Sequence, residues 1–354
     1  MEQPDTIDIS ESEIRERYPE VLAALLRDHT RADKAQAGGC GADCRNCDKT
    51  CCNIAWATDD YAHLGPGFRR DDPVTPDTIT GANGKVVRPR VIKTREEQEV
   101  RTKGRAEVFT PAWVCNLQNN LVDEAWFGRP GAFNTVSADG REWTPTPAPV
   151  AFPQGRTWLQ YVRDTRMEMA CGEAPYTASL YDATTGLPIP LHKRIGTIDR
   201  KLRIVSENTS DSAQWLKAAQ EAFKHTYAFE WQGDSLLLAR EALLYSFKEH
   251  YEAKFGNEPA RRSMATIAYI ISWNVWQMDG LTGTIPGTCH HTMPETAQDL
   301  FSGRVETKPI PCPGCATGDM RRHNGTYCLV KDWDAKEKKR RKTRFIDLLK
   351  TAKP

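Results

Sequence analysis

The sequence predicts an α/β domain built on a small parallel sheet, with a helical extension before it and a cysteine-rich segment after it. Three short apolar runs, near residues 166–170, 226–230 and 273–278, have the length and composition of buried strands. Helical patterns separate these runs, and strands that alternate with helices pair in parallel. The regular pattern ends near residue 285, where Cys, His and Gly become frequent.

The chain divides into three regions. Residues 9–30 carry apolar side chains at helical spacing and predict one amphipathic helix, capped by Ser10 or Ser12. The stretch that follows is rich in Asp, Gly, Pro and Thr, and its TGANGK segment (80–85) predicts a hairpin or a tight turn. We therefore predict an N-terminal helix and Cys-rich extension over 1–93, an α/β domain over 94–285, and a Cys/His-rich segment with a basic tail over 286–354.

Helical periodicity defines the elements between the strands. It resumes at Trp113 and continues to Leu121, and TWLQYVRDTRMEMACGEAPY predicts a helix followed by the first strand. Residues 189–205 and 211–225 predict two helices, and a longer one ends at Gly256.

The composition argues against a general attraction to nucleic acid or membrane. The 354 residues include 27% charged residues with a formal net charge of +1, so only a local charged surface could recruit a polyanion. No apolar run reaches the length that spans a bilayer, and the acidic, helix-like N-terminus differs from a signal peptide. We predict a cytoplasmic protein with no membrane partner.

Each predicted strand ends in residues suited to a nucleoside-type ligand. Cys171, Gly172 and Glu173 follow the first strand, Glu230 ends the second, and Asp279 follows the third. Ligands of open α/β sheets bind at the carboxyl ends of the strands. A glycine there lets the backbone approach a ligand, and an acid can accept hydrogen bonds from ribose hydroxyls or an adenine amine.

Four segments in a fixed order carry a family resemblance. They are RAEVFTPAWV (105–114), MEMACGEAPY (167–176), YAFEWQGDSLLLAREALL (227–244) and NVWQMDGL (274–281). Together they resemble the adenine-N6 DNA methyltransferases, particularly the modification subunits of restriction systems. The resemblance spans roughly residues 100–285 and implies a Rossmann-like domain that binds S-adenosylmethionine.

The resemblance also implies which residues form the cofactor pocket. They are Phe109, Thr110, Pro111, Glu168, Cys171, Gly172, Glu173, Glu230 and Asp279. The first three would pack beside the methionine and adenine groups, and the next four would form the turn beneath the methionine portion. Glu230 would take the ribose hydroxyls, and Asp279 would take the adenine amine.

The implied activity is methylation of adenine N6 in DNA, within a restriction–modification or phage modification system. DNA would be the partner, together with a restriction or specificity subunit. The chain departs from the family in two respects: Ala174 replaces a second glycine, and no Asn/Asp-Pro-Pro-aromatic motif follows Asp279, so the catalytic residues are unknown. A degenerate, non-catalytic subunit with the methyltransferase fold is therefore an alternative.

The C-terminal cysteines predict a metal site. Cys312, Cys315, His323 and Cys328 could form a tetrahedral Cys₃His zinc site, with Gly314 suited to the tight turn. Cys289 with His290 or His291 is a competing pair, and a loop with reduced thiols is the alternative to any metal. A zinc-containing nucleic-acid-binding protein is thus a further hypothesis.

Three other features permit two interpretations each. CGADCRNCDKTCC (40–52) is either a second metal site, including an iron–sulfur cluster, or a flexible insertion. The basic run 336–344 either contacts phosphates or is solvated helix surface. Trp231, Trp273 and Trp276 either stack on a base or belong to the core.

Overall fold

The computed structural model describes residues 7–35, 50–105, 110–292, 309–336 and 341–349. Among these residues, no helix combines the length and the apolar character that crossing a membrane requires.

The N-terminal region forms three short helices where the sequence predicts one. They are α1 (Glu11–Arg17), α2 (Pro19–Leu26) and α3 (His29–Lys34). Ser10 caps α1 as predicted, because its hydroxyl accepts a hydrogen bond from the Glu13 N–H at 3.2 Å. The prediction of a continuous helix was wrong at Tyr18, which leaves helical geometry with φ −144°. A residue that precedes proline is disfavoured in the helical region, and Pro19 begins α2.

The next region is mostly irregular. Helix α4 (Pro76–Ile79) leads into a single 3₁₀ turn at Gly81–Asn83, so the predicted tight turn is correct and the hairpin is not formed there. Helix α5 (Arg95–Arg105) and helix α6 (Ala112–Phe127) follow. Strands β1 (Asn134–Val136) and β2 (Trp143–Pro145) form a small antiparallel pair, and helix α7 (Trp158–Val162) comes next.

A three-stranded parallel sheet occupies the centre, as predicted. Strands β3 (Arg166–Met169), β4 (Thr226–Glu230) and β5 (Val275–Gln277) lie in chain order, with Met169 beside Phe229 and Glu230 beside Gln277. The connections are helices α8 (Thr197–Asn208), α9 (Ser212–Lys224), α10 (Gly233–Phe255) and α11 (Arg261–Asn274). Helix α8 begins eight residues later than predicted, because Pro190 starts a separate 3₁₀ turn and Gly196 precedes the helix.

The sheet buries both faces against different parts of the chain. Ala228 and Val275 belong to the main apolar core, which the helices of the N-terminal and central regions share. Their neighbours Phe229 and Trp276 point to the opposite face, because successive strand residues alternate. That second face packs against the C-terminal segment, which contains helix α12 (Pro313–Thr317), strands β6 (Leu329–Lys331) and β7 (Lys342–Arg344), and helix α13 (Phe345–Leu348).

An N-terminal segment covers the carboxyl ends of β4 and β5. The Gln277 side chain accepts from the Ala55 N–H at 2.9 Å and donates to the Ala55 carbonyl at 2.8 Å. The Gly233 N–H donates to the Trp56 carbonyl, and a Cβ at Gly233 would lie 2.0 Å from the Ala55 oxygen. Residues 55–56 therefore cover the β5 side of the β4 end, while the space between the ends of β3 and β4 remains open.

Candidate functional site

A cavity of about 450 Å³ lies at the carboxyl ends of β3 and β4. Five of the residues that the sequence predicts for a cofactor pocket line this cavity: Thr110, Glu168, Cys171, Gly172 and Glu230. They come from three separate segments of the chain, which the fold brings to one place. The volume is within the range of ligand sites in proteins.

A strained turn forms the floor of the cavity. Ala170, Gly172 and Ala174 have φ values of +49°, +54° and +59°, in the left-handed region that side chains with a Cβ rarely adopt. The Cys171 N–H between them continues the ladder to β4 by donating to the Phe229 carbonyl at 2.9 Å. The turn thus directs the backbone of residues 170–174 along the end of β4.

Glu230 is held by backbone donors on both of its oxygens. The Gly172 N–H donates to Oε2 at 2.8 Å, and the Gln232 N–H donates to Oε1 at 3.1 Å. Burial raises the pKa of Glu230, although these two hydrogen bonds act in the opposite direction. The carboxylate is therefore fixed in orientation at the edge of the cavity.

Glu168 is the second carboxyl group of the cavity. Its Oε2 accepts from the Thr177 hydroxyl at 2.6 Å, and its Oε1 accepts from the Tyr176 N–H at 3.4 Å. Burial raises the pKa of Glu168 to about 7, and repulsion from Glu230 acts in the same direction. The cavity therefore contains two carboxyl groups that repel each other when both are ionised.

Cys171 is a structural part of the turn. The side chain is buried, and this burial raises the pKa of the thiol well above its usual range. Since the thiolate is the nucleophilic form of cysteine, a neutral buried thiol is a poor nucleophile.

Of the other predicted pocket residues, the three that the structure describes do not line the cavity. Pro111 precedes α6, and Phe109 lies outside the described residues. Both oxygens of Glu173 point away from the cavity and accept hydrogen bonds at 2.6 Å, from the Arg90 N–H and the Tyr181 hydroxyl. Asp279 accepts from the Leu281 N–H at 2.9 Å in a turn after β5 and does not line the cavity.

Sequence reasoning missed several polar residues of the cavity wall: Gln118, Asn119, Tyr176, Gln232 and Ser235. Gln232 follows Glu230 by two residues and opens α10, so its place after the strand end was a usable signal. Asn119 lies in the middle of α6, and its amide donates to the carbonyls of Tyr176 and Ile195. Nothing in the local pattern of α6 marks that contact.

The second candidate site is a cluster of four potential metal ligands. Cys289, Cys312, Cys315 and His323 place their ligand atoms within 4.8 Å of one another. The Sγ atoms of Cys289 and Cys315 are 3.6 Å apart, and His323 Nδ1 is 3.5 Å from Cys312 Sγ. Tetrahedral zinc with ordinary bond lengths would separate two sulfurs by about 3.8 Å and a sulfur from a nitrogen by about 3.5 Å. The arrangement therefore fits such an ion.

Cys289 takes the position that the sequence assigned to Cys328. The thiol of Cys328 is buried against the sheet and donates to the Gln277 carbonyl at 3.3 Å. The cluster therefore contains Cys312, Cys315 and His323 of the predicted set and has Cys289 in place of Cys328. His290, the proposed companion of Cys289, turns its Nδ1 to the Thr288 carbonyl at 2.9 Å.

The backbone around Cys312 suits a metal-binding thiolate. Burial raises the pKa of Cys312, but N–H groups of Cys315 and Asn324 donate to the sulfur and lower the pKa to about 6. Gly314 allows the close approach of His323, because a Cβ there would lie 2.6 Å from the imidazole Cγ and Nδ1. Gly314 thus allows the His323 ring to pack directly against the backbone of α12.

The three tryptophans that the sequence singled out do not line the cavity. Trp273 stacks on His29 with ring centroids 3.9 Å apart, and Trp276 belongs to the apolar cluster on the second face of the sheet. Trp231 donates to the Ala57 carbonyl. Most of the first cysteine cluster (residues 40–49) and part of the basic run (337–340) lie outside the described residues.

No protein-family model, no curated protein and no solved structure matches this chain.

Proposed function

We propose that the chain binds S-adenosylmethionine in the cavity at the ends of β3 and β4 and acts in adenine-N6 methylation of DNA. The observation that carries this proposal is the convergence of Thr110, Glu168, Gly172 and Glu230 on one cavity. These residues belong to three of the motifs that suggest the family. Glu168, Gly172 and Glu230 meet because they lie at the ends of neighbouring parallel strands, and Thr110 joins them from a third motif.

The hydrogen-bonding capacity of Glu230 is compatible with a ribose. A carboxylate has about four acceptor sites, and Glu230 uses two of them for the N–H groups of Gly172 and Gln232. The remaining sites can accept from the two vicinal hydroxyls of a ribose. Because the backbone fixes the carboxylate beforehand, ligand binding has little orientational entropy to offset.

When bound, S-adenosylmethionine supplies an electrophilic methyl group on a sulfonium. In the transfer, the adenine nitrogen forms the new N–C bond, the sulfur keeps the electron pair of the broken S–C bond, and the amine proton passes to solvent. This chain would contribute position: the 170–174 turn and Glu230 would hold the cofactor while the target base approaches. Positioning of this kind can supply a large part of a rate enhancement.

A non-catalytic cofactor-binding subunit is the competing function. The sequence contains no Pro-Pro pair, so it lacks the motif that holds the target amine in the resembled family. Residues 55–56 also cover the carboxyl ends of β4 and β5, beside the cavity. Incubation with adenine-containing duplex DNA and cofactor carrying a radioactive methyl group separates the two functions, since only the enzyme labels the DNA.

Calorimetric titration of S-adenosylmethionine tests the cofactor assignment. We expect binding in the micromolar range, and at least a tenfold loss in Glu230→Ala, which removes the proposed ribose acceptor. Glu142→Ala is the matched control, because Glu142 is exposed and does not line the cavity. No binding by the unaltered protein, with its fold verified by thermal unfolding, would contradict the proposal.

We further propose that the Cys₃His cluster holds one structural zinc ion. With four protein ligands the site has no open position, as is usual for structural zinc. We expect bound zinc by atomic absorption, and one equivalent less per chain in Cys289→Ala. The control is Cys328→Ala, which should keep the metal. If zinc is lost from Cys328→Ala and retained in Cys289→Ala, then Cys328 is the fourth ligand, as first predicted from the sequence.

A further inference from the structure

The wall of the cavity is rich in hydrogen-bond acceptors. The carboxyl groups of Glu168 and Glu230 both line it, and they repel each other when both are ionised. Gln232 lines the same cavity, and its side chain is only 5% exposed. Its Oε1 atom is buried with no donor among the described residues. Three acceptor groups therefore border one cavity.

The positive charge at the cavity is already neutralised. Arg166 is the cation among the described lining residues, and its Nε lies 2.5 Å from an oxygen of Asp164. Its Nη2 lies 3.5 Å from Asp123 Oδ1. The side-chain amide of Asn119, which also lines the cavity, donates to two backbone carbonyls. The field inside the cavity is therefore negative.

We propose that this cavity selects ligands that carry a positive charge, and that it binds a sulfonium in preference to the neutral thioether left after methyl transfer. This inference rests on the proposed function, because it concerns the same cavity. It adds a consequence that the cofactor assignment does not contain: the site distinguishes the cofactor from its product by charge.

The physical reason is that two ionised carboxylates in one partly buried cavity raise the free energy of the empty protein. Burial and mutual repulsion both disfavour the charged forms of Glu168 and Glu230. A cation within about 4–6 Å offsets this cost, whereas a thioether of nearly the same shape does not. Loss of the methyl group would therefore weaken the complex and favour release of the product.

The test compares S-adenosylmethionine with S-adenosylhomocysteine by calorimetry at pH 8, where Glu168 is mostly ionised. We expect the sulfonium compound to bind at least tenfold more tightly than the thioether. An analogue with an amine in place of the sulfonium should resemble the cofactor, since the amine is protonated. In Glu168→Gln, the ratio should fall to threefold or less, mainly through weaker binding of the sulfonium.

Glu124→Gln provides the matched control. Glu124 is an exposed residue of α6, the helix that contributes Gln118 and Asn119 to the cavity, and it does not line the cavity itself. This variant should keep the wild-type ratio. A ratio that falls equally in both variants would show a general effect of net charge and would overturn the proposal.

A pH series needs no variant. The groups around Glu168 are Glu230 on β4, Arg166 on β3, Cys115 on α6, and Cys171 and Tyr176 in the turn. The pKa of Cys115 is raised to about 12 by burial and by Glu168, and burial also raises the pKa values of Cys171 and Tyr176, so these three stay neutral from pH 6 to 8. The affinity ratio should therefore fall several-fold from pH 8 to pH 6, as Glu168 becomes protonated.

The outcomes separate the two proposals. If neither compound binds, the cofactor assignment fails. If both bind with equal affinity at pH 8, the cofactor assignment stands and charge selection is refuted. Tighter binding of the thioether at pH 8 would refute it as well.

Discussion

At the scale of single residues, the turn beneath the cavity contains an exposed alanine with a strained backbone conformation. Ala170 is exposed, yet its φ of +49° places it in the left-handed region. This conformation costs a residue with a Cβ about 1–2 kcal/mol, and a glycine avoids most of that cost. Ala174 has the same conformation but is fully buried, so its methyl group also contributes packing.

We expect Ala170→Gly to stabilise the fold by about 0.5–1 kcal/mol, since relief of strain exceeds the entropy that glycine adds to the unfolded chain. Urea unfolding measures this change. Ala253→Gly is the control, because Ala253 is exposed within α10 and its replacement should cost about 1 kcal/mol. A loss of stability in both variants would argue against strain at residue 170.

Gly314 permits a second prediction. In Gly314→Ala, the added methyl group would meet the His323 ring at 2.6 Å and displace a metal ligand. We expect at least a tenfold loss of zinc affinity, measured by competition with a chromogenic chelator. Gly318→Ala is the control: it strains a residue at φ +70° but places no atom within 4 Å of its Cβ, so zinc affinity should persist.

Glu168 makes stability depend on pH in a defined direction. Its pKa is raised by burial from 4.5 to about 7, so the folded state retains a proton that the unfolded state loses above pH 4.5. The contribution of Glu168 to stability is therefore complete below pH 4.5 and falls as the pH rises to 7, by about 1–3 kcal/mol in total.

Glu168→Gln removes this titration. We expect the variant to gain stability relative to the wild type as the pH rises from 4.5 to 8, and chemical unfolding at several pH values measures the difference. A difference that is independent of pH would show that Glu168 titrates normally in the folded state.

At the scale of elements, the strands were the easiest part to predict. The β4 run TYAFE and the β5 run around Val275 are apolar on both faces, and the helices on either side have clear periodicity. The N-terminal helix was harder because its apolar spacing continues through Tyr18 and Pro19, and only the proline reveals the break. The late start of α8 likewise follows from Pro190 and Gly196. A prediction based on apolar spacing alone does not take these two residues into account.

Helix α10 is joined to α5 by a buried ion network. Asp234 is completely buried, and its Oδ2 lies 3.1 Å from Lys93 Nζ and 2.8 Å from Arg101 Nη1. The Tyr61 hydroxyl also donates to this oxygen. No sequence pattern could identify these partners, because they are up to 173 residues apart.

Asp234→Asn should cost about 3–5 kcal/mol, because it leaves two buried cations without their shared anion. Denaturant unfolding measures this loss. Asp77→Asn is the control: Asp77 pairs with Arg15 at 2.8 Å but is 84% exposed, and exposed pairs contribute about 0–1 kcal/mol. Equal effects in the two variants would refute a special role for burial.

At the scale of the whole molecule, the Cys₃His cluster connects two segments that lie against the sheet. Cys289 follows β5, while the other three members belong to the C-terminal segment that covers Phe229 and Trp276. The sequence indicated three of the four members from their spacing. It could not choose between Cys289 and Cys328, because that choice depends on which thiol faces the sheet.

Removal of zinc should therefore loosen the C-terminal covering. We expect chelation to lower the unfolding midpoint by about 4 °C, the effect of losing roughly 3 kcal/mol of binding free energy from a chain of this size. Scanning fluorimetry with and without chelator measures the shift. In Cys289→Ala, chelator should have no further effect.

The packing of α2 against α11 has a consequence for biosynthesis. Val21, Leu22 and Leu25 are fully buried in the core that also contains Ile267 and Ile271, about 240 positions later in the chain. At about 5–20 residues per second, the ribosome needs roughly 10–50 s to make the intervening chain. During that time the apolar face of α2 has no final partner, so the nascent chain depends on chaperones or transient contacts to remain soluble. A ribosome stalled before residue 261 would hold a chain whose first helices cannot complete their core.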